Sequence, residues 1–230
     1  MPHRNTIRHF TEGGIYHVYN RGIDKRDIFL DEQDYAVFLN LLKYYLSPID
    51  PTNTHPLMNF QNFTIMRPRP LANIEKEITL LVYCLMPNHF HLILKQINKD
   101  GVTKLLRRVA TTYSMYFNKR YKRVGYLFQG KYKASAVESD YYLLHLSRYV
   151  HLNPLDMPGL TRTDLVKYPY SSYQYFLGNK YASWIKPEMI LAFFDRKNLQ
   201  TFLKKFPSYQ EFVEDSITDS RQSIGDLSLD

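Results

Sequence analysis

Two histidines flank a single phenylalanine in His89-Phe90-His91. On a strand, side chains alternate across the sheet, so both imidazoles leave one face while Phe90 enters the other. Imidazole nitrogens placed in this way can share a divalent ion. His-x-His alone carries little specificity, and two solvent-facing histidines on an edge strand would spell the same letters. A second cluster is Arg148-Tyr149-Val150-His151-Leu152-Asn153-Pro154. In a helix, Tyr149 and Asn153 lie one turn apart on one face, and His151 points away from Tyr149. Asn153 offers a carbonyl oxygen to a hard ion, and Tyr149 offers a phenol. Phenols lose their proton only near pH ~10. As a nucleophile, such a group needs a nearby cation to stabilise the phenolate and polarise the phosphate under attack. The plainer alternatives are a half-buried helix aromatic for Tyr149 and a helix C-cap for Asn153.

The elements that must position these residues follow from local patterning. Gly13-Gly14 opens an alternating run, Ile15 to Tyr19, that stops at Asn20-Arg21-Gly22, as a strand bounded by turn residues does. Asp31 or Asp34 can cap a helix over Tyr35 to Leu46, with Val37, Phe38, Leu41, Leu42 and Tyr45 at helical spacing. Residues 47–76 carry five prolines and are expected to form an irregular insertion. Ile78 to Leu85 and His89 to Lys95 form two strands around the turn Met86-Pro87-Asn88. Gly101 precedes a helix from Val102 to about Arg120. Gly125 to Val137 reads as a strand or hairpin, and Ser139-Asp140 caps a helix from Tyr141 to about Leu152. This order predicts a ferredoxin-like (RRM-like) α+β fold, an antiparallel sheet with helices on one face. Short helices are expected over Trp184 to Phe194 and Asn198 to Phe206, and a polar, frayed tail over 216–230. The division is a 10–178 domain, a 179–215 helical extension and the tail.

Composition narrows the partner. The chain has 230 residues and a formal charge of +8, which favours a polyanion through counterion release. Twenty tyrosines, many beside Lys or Arg, suit a single strand, whose phosphates take the cations and whose unstacked bases take the rings. A single cysteine, Cys84, excludes an intramolecular disulfide and any multi-cysteine zinc site; it lies in an apolar run and reads as a buried thiol. With neither a signal-peptide pattern nor an apolar stretch of membrane-spanning length, a cytoplasmic protein with no membrane partner is expected.

The run Leu85-Met86-Pro87-Asn88-His89-Phe90-His91-Leu92-Ile93 resembles the HUH element of single-tyrosine transposases of the insertion-sequence type. The segment Arg148 to Pro154 resembles their catalytic helix, above all in the REP-associated tyrosine transposase branch. Further matches are Gly13-Gly14-Ile15-Tyr16-His17-Val18 with Asn20-Arg21-Gly22, and Gly125 to Tyr132. Tyr168-Pro169-Tyr170-Ser171-Ser172-Tyr173 also matches, although the family often has a tryptophan before the Pro-x-Ser-Ser segment. The resemblance spans about residues 10 to 178 and leaves 47–76 and 180–230 outside. It implies that His89, His91 and Asn153 bind Mg²⁺ or Mn²⁺. It also implies that Tyr149 attacks single-stranded DNA near a hairpin, keeps the 5′-phosphate and frees a 3′-hydroxyl. Lys104, Arg107, Arg108, Lys131 and Lys133 are the candidates for phosphate contacts. His145, one turn before Tyr149, either approaches the site or packs its helix. Members of the family act as homodimers or monomers, and the absence of heptads leaves that choice open. Two other classes fit the residues: a domesticated, non-catalytic nucleic-acid-binding protein on the same scaffold, and a phosphodiesterase that hydrolyses through water.

Overall fold

Alternation builds β1 (Ile15–Arg21), and the capped amphipathic run builds α1 (Glu32–Leu46), where Asp31 accepts a hydrogen bond from the Asp34 amide. A computed structural model describes residues 10–48, 58–60, 63–65, 74–195, 203–204 and 206–215. Within the expected irregular insertion it contains a pair of three-residue antiparallel strands, β2 (Met58–Phe60) and β3 (Phe63–Ile65). β4 (Ile78–Met86) and β5 (His89–Gln96) form the hairpin that turns at Pro87-Asn88. α2 (Gly101–Arg120) follows, then β6 (Lys133–Ala136) and α3 (Asp140–Leu152), whose first turn is capped by Ser139 accepting from the Tyr142 amide. The expected strand or hairpin over Gly125 to Val137 shrinks to β6. Gly125 and Gly130 adopt positive φ, and the stretch between them is turn and bend.

The four main strands pair antiparallel in the order β4-β5-β1-β6, which is the ferredoxin-like arrangement. One sheet face, with Val18, Leu80, Tyr83, Leu85, Phe90, Leu92 and Leu94, packs against α1 and α2. The expectation of helices on one face alone is corrected by α3. Its Leu143, Leu144, Leu146 and Val150 cover Leu81, Val82, Cys84, Met86 and Ile93 on the other face. A bulge between Leu80 and Val82 turns Leu81 and Val82 together toward that second core. The sequence hid this, because β4 reads as continuously apolar when both its faces are covered.

Beyond α3 the chain continues as α4 (Arg162–Leu165), α5 (Tyr173–Phe176), α6 (Glu188–Leu191) and α7 (Tyr209–Glu214). Phe206, Tyr209, Phe212 and Val213 join the α3 core. The expected helix over 198–206 lies mostly, and the tail after 215 wholly, outside the described residues. Residues 170–172 run along β4: Leu85 donates to the Tyr170 carbonyl (2.9 Å), and Ser172 donates to that of Tyr83 (2.9 Å). No helix among the described residues is long and apolar enough to cross a membrane.

α1 and α2 are tied by Asp34, buried at the start of α1. Its carboxylate accepts from Arg120, Tyr116 and Tyr121 near the end of α2 at 2.8–2.9 Å. At the other end of α2, Gly101 meets the start of β4 so closely that a Cβ would stand 2.5 Å from the Glu77 carbonyl oxygen. That obstacle is backbone and cannot rotate away. Gly101→Ala is therefore expected to lower stability by about 1–2 kcal/mol in urea unfolding, the overpacking cost exceeding the helical preference of alanine.

Candidate active site between the histidine pair and the end of α3

β5 lies between β4 and β1, so His89 and His91 occupy a central strand. Phe90 enters the opposite core, its ring 5.2 Å from Phe38 and 5.9 Å from Phe128. The solvent-facing alternative fails here: His91 is fully buried beneath α3 and His89 is half-buried. Their rings stand edge to face with centroids 5.0 Å apart. The Tyr149 ring meets His91 edge-on at 5.8 Å, and Asn153 Oδ1 lies 3.4 Å from His89 Nε2. Asn153 does end α3, yet its backbone stays helical (φ −48°, ψ −39°) as the chain enters a short 3₁₀ turn. This keeps its side chain one turn from Tyr149, on the same face. The strand and the helix end thus bring His89, His91, Tyr149 and Asn153 together.

Hydrogen bonds around the cluster fix where its lone pairs point. Asn88 donates its amide nitrogen to the Lys25 carbonyl (3.1 Å), so its Oδ1 accepts. That oxygen lies 2.6 Å from His89 Nδ1, which must carry the hydrogen and leave Nε2 bare. Asn153 donates its amide nitrogen to the Tyr149 carbonyl (2.9 Å), so its Oδ1 is also an acceptor. Two acceptors therefore face each other across 3.4 Å. This repels unless a positive charge lies between them. Neighbouring ligands of an octahedral Mg²⁺ stand about 3 Å apart, close to this gap. His91 Nε2 is buried with no hydrogen-bond partner, an arrangement that costs free energy unless something binds it.

Burial lowers the pKa of His89 to about 4, with Arg21 adding to the push, and holds His91 well below the ordinary imidazole value. Both are neutral at pH 7, the form that ligates metals. Among the described residues no group of three or more His, Cys, Asp and Glu could hold an ion. The donor set here is instead two imidazoles and one amide oxygen. It suits an ion that keeps other positions for water and phosphate oxygens, as Mg²⁺ does.

The basic candidates separate. Lys133 faces the site: it pairs with Tyr19 in the β1–β6 register, and its ammonium lies 5.8 Å from the Tyr19 ring, itself 5.8 Å from the His91 ring. Lys131 is exposed just before β6. Lys104, Arg107 and Arg108 lie on α2, across the sheet from the histidines. There Lys104 pairs with Glu77, and the Arg108 guanidinium lies over the Tyr45 ring at 5.6 Å. His145 does not join the cluster; it packs between Tyr141 and Phe212 and lies 2.9 Å from an Arg148 nitrogen.

Sequence reading missed Arg21 and His17. Arg21 is the cross-strand partner of His89, and its Nε donates to Gln129 Oε1 at 2.5 Å. His17 Nε2 lies 2.8 Å from His91 Nδ1. Strand parity was the available signal, since His17, Tyr19 and Arg21 share one face of β1.

His151 points away from Tyr149, as its spacing requires. It lies wholly buried between Tyr209 OH (2.8 Å) and Ser172 Oγ (2.7 Å), joining α3 to α7 and to the strip along β4.

A ferredoxin-like sheet thus carries a His-x-His pair against a tyrosine and an asparagine at the end of α3. Residues 71–153, from the approach to β4 through Asn153, match the family model described as Transposase IS200 like. No curated protein sequence matches the chain. Among solved structures, the fold is similar to that of a REP-associated tyrosine transposase bound to a REP hairpin. The TM-score is 0.51 at 13% identity, over 78% of this chain and 89% of that one. The resemblance to single-tyrosine transposases, read first from motifs, thus meets an IS200-like family model over residues 71–153 and a similar fold in a solved structure.

Burial lowers the His151 pKa to about 3, against about 6.5 in an unfolded chain. Between these values the unfolded state binds a proton that the native state refuses, so stability is full above pH ~6.5 and falls as the pH drops. His151→Gln is expected to flatten that decline by up to one proton, about 1.4 kcal/mol per pH unit, in urea unfolding followed from pH 7 to 4.

Proposed function

We propose that this chain is a divalent-metal-dependent, single-tyrosine endonuclease and transposase that cuts and rejoins single-stranded DNA at hairpin-bearing repeats. The observation that carries this reading is the meeting of a bare His89 Nε2 with the Asn153 Oδ1 acceptor, beside a buried His91 whose Nε2 has no hydrogen-bond partner and whose ring meets that of Tyr149. His89, His91 and Asn153 would hold Mg²⁺ or Mn²⁺. Bound there, the ion supplies positive charge for the phosphate oxygens and for a developing phenolate.

Tyr149 Oη forms a bond to the scissile phosphorus while the bond from phosphorus to the 3′-oxygen breaks. The phenol proton is lost, and the departing oxygen takes one up to end as a 3′-hydroxyl. One phosphate ester replaces another, so a different 3′-hydroxyl can reverse the step without an external energy source. The end of α3 is a rigid support for this chemistry, because Leu144, Leu146 and Val150 lock the helix to the sheet. Arg21 beside His89 and Lys133 over Tyr19 are the cations placed to hold the strand near the tyrosine. The hairpin-bound relative supports a hairpin as the DNA feature recognised.

With Mn²⁺ and a hairpin-bearing oligonucleotide, the purified chain is expected to form a covalent adduct that survives SDS electrophoresis. Tyr149→Phe should abolish the adduct while keeping DNA affinity. Adduct formed by Tyr149→Phe removes the nucleophile; DNA binding without adduct or product favours a non-catalytic binder; turnover without adduct favours hydrolysis by water.

Arg21→Ala and Lys133→Ala should each weaken single-strand binding and reduce the slope of log affinity against log salt by about 0.7. Arg107→Ala, on the far side of the sheet, should leave that slope unchanged. An equal effect from Arg107 would place the DNA track elsewhere.

A further inference from the structure

We infer that His17 is a positioning residue whose ring can accept the His91 Nδ1 hydrogen and so lets His91 Nε2 offer its lone pair to a cation. The inference rests on the metal-site reading above.

His17 and His91 lie on neighbouring strands, both fully buried, with parallel rings 5.1 Å apart and 12° between their planes. His17 Nε2 and His91 Nδ1 are 2.8 Å apart. The outer nitrogens, His17 Nδ1 and His91 Nε2, are both buried without a hydrogen-bond partner.

Two neutral imidazoles carry two N–H hydrogens on four nitrogens. One hydrogen lies in the bond between the rings, and the other must sit on an outer nitrogen. When His17 donates, the second hydrogen is on His91 Nε2, which then has no lone pair for a metal. When His91 donates, the second hydrogen is on His17 Nδ1 and His91 Nε2 is bare. The two arrangements have the same charge and the same number of N–H groups, so a cation at His91 Nε2 selects the second at no cost in net charge. Ser135 stands directly opposite His17 in the β1–β6 register, and its buried Oγ also lacks a partner.

Histidines that ligate metals almost always donate their second ring nitrogen to a fixed acceptor. His89 does so to Asn88 Oδ1. For His91 the acceptor is an imidazole, which can also donate. His17 therefore permits both a ligating and a non-ligating state of His91, and the ion decides between them.

Mn²⁺ binding to the full chain, followed by calorimetry, tests this with two substitutions. His17→Leu removes the acceptor and should weaken Mn²⁺ binding by about 10–100-fold. In His17→Gln an amide oxygen can take the place of Nε2 and accept from His91 Nδ1, so affinity should stay within about threefold of wild type. Urea unfolding of the metal-free variants separates a folding defect from a binding defect. Nitrogen-15 NMR of labelled imidazoles in the Mg²⁺-saturated wild type needs no variant, and should show the hydrogen on His91 Nδ1. Leu binding as tightly as wild type, Gln losing as much as Leu, or a hydrogen on His91 Nε2 with Mg²⁺ bound would each overturn the role of His17. A wild type that takes up no Mn²⁺ would overturn the metal site and this inference together.

Discussion

The register of β5 between its two neighbours sets Cys84, His91, Tyr19 and Lys133 in one row across the sheet, and Met86, His89 and Arg21 in the next. Side chains alternate along a strand, so a slip of one residue would send both histidines into the α1/α2 core and bring Phe90 under α3. The apolar residues prevent that slip. Phe90, Leu92 and Leu94 fill one core while Ile93 fills the other, and each would be misplaced together with the histidines. The site is thus fixed by burial of greasy neighbours more than by any bond of its own.

The polar bonds that do reach the site act on direction. Asn88 and Asn153 are each anchored by an amide nitrogen to a backbone carbonyl, so their oxygens can only accept. Around the histidines the protein therefore gathers acceptors and an unpartnered His91 nitrogen in a region where burial keeps imidazoles uncharged. Such a collection is unfavourable in an apolar setting until a cation enters. Preorganisation of this kind places the cost in folding, so that little rearrangement remains for binding.

Much of this arrangement was legible in the letters. His-x-His on a strand and Tyr-x-x-x-Asn on a helix follow directly from periods of 2 and 3.6, and the turn at Pro87-Asn88 and the cap at Ser139 follow from residue chemistry. The side of the sheet taken by α3 was not legible. A strand covered on both faces shows unbroken apolar sequence, and the bulge at Leu81 blurs what alternation remains. Arg21 and His17 escaped for a related reason: their meeting with His89 and His91 depends on pairing between strands far apart in the chain, 74 residues for His17 and His91, which no local pattern records. Arg107, a candidate phosphate contact by its charge, lies on α2 across the sheet from the histidines, a placement that charge alone does not reveal.

The strip at residues 170–172 has a bearing on assembly. Leu85 and Tyr83 on the outer side of β4 already bond to Tyr170 and Ser172, and the Lys186 amide takes the Leu80 carbonyl 2.9 Å away. A second copy cannot extend the sheet by adding a strand at β4, because its own chain occupies those groups. Any subunit that extends the four-stranded sheet must approach along β6, the four-residue border that holds Lys133, and would set a neighbouring molecule beside that lysine.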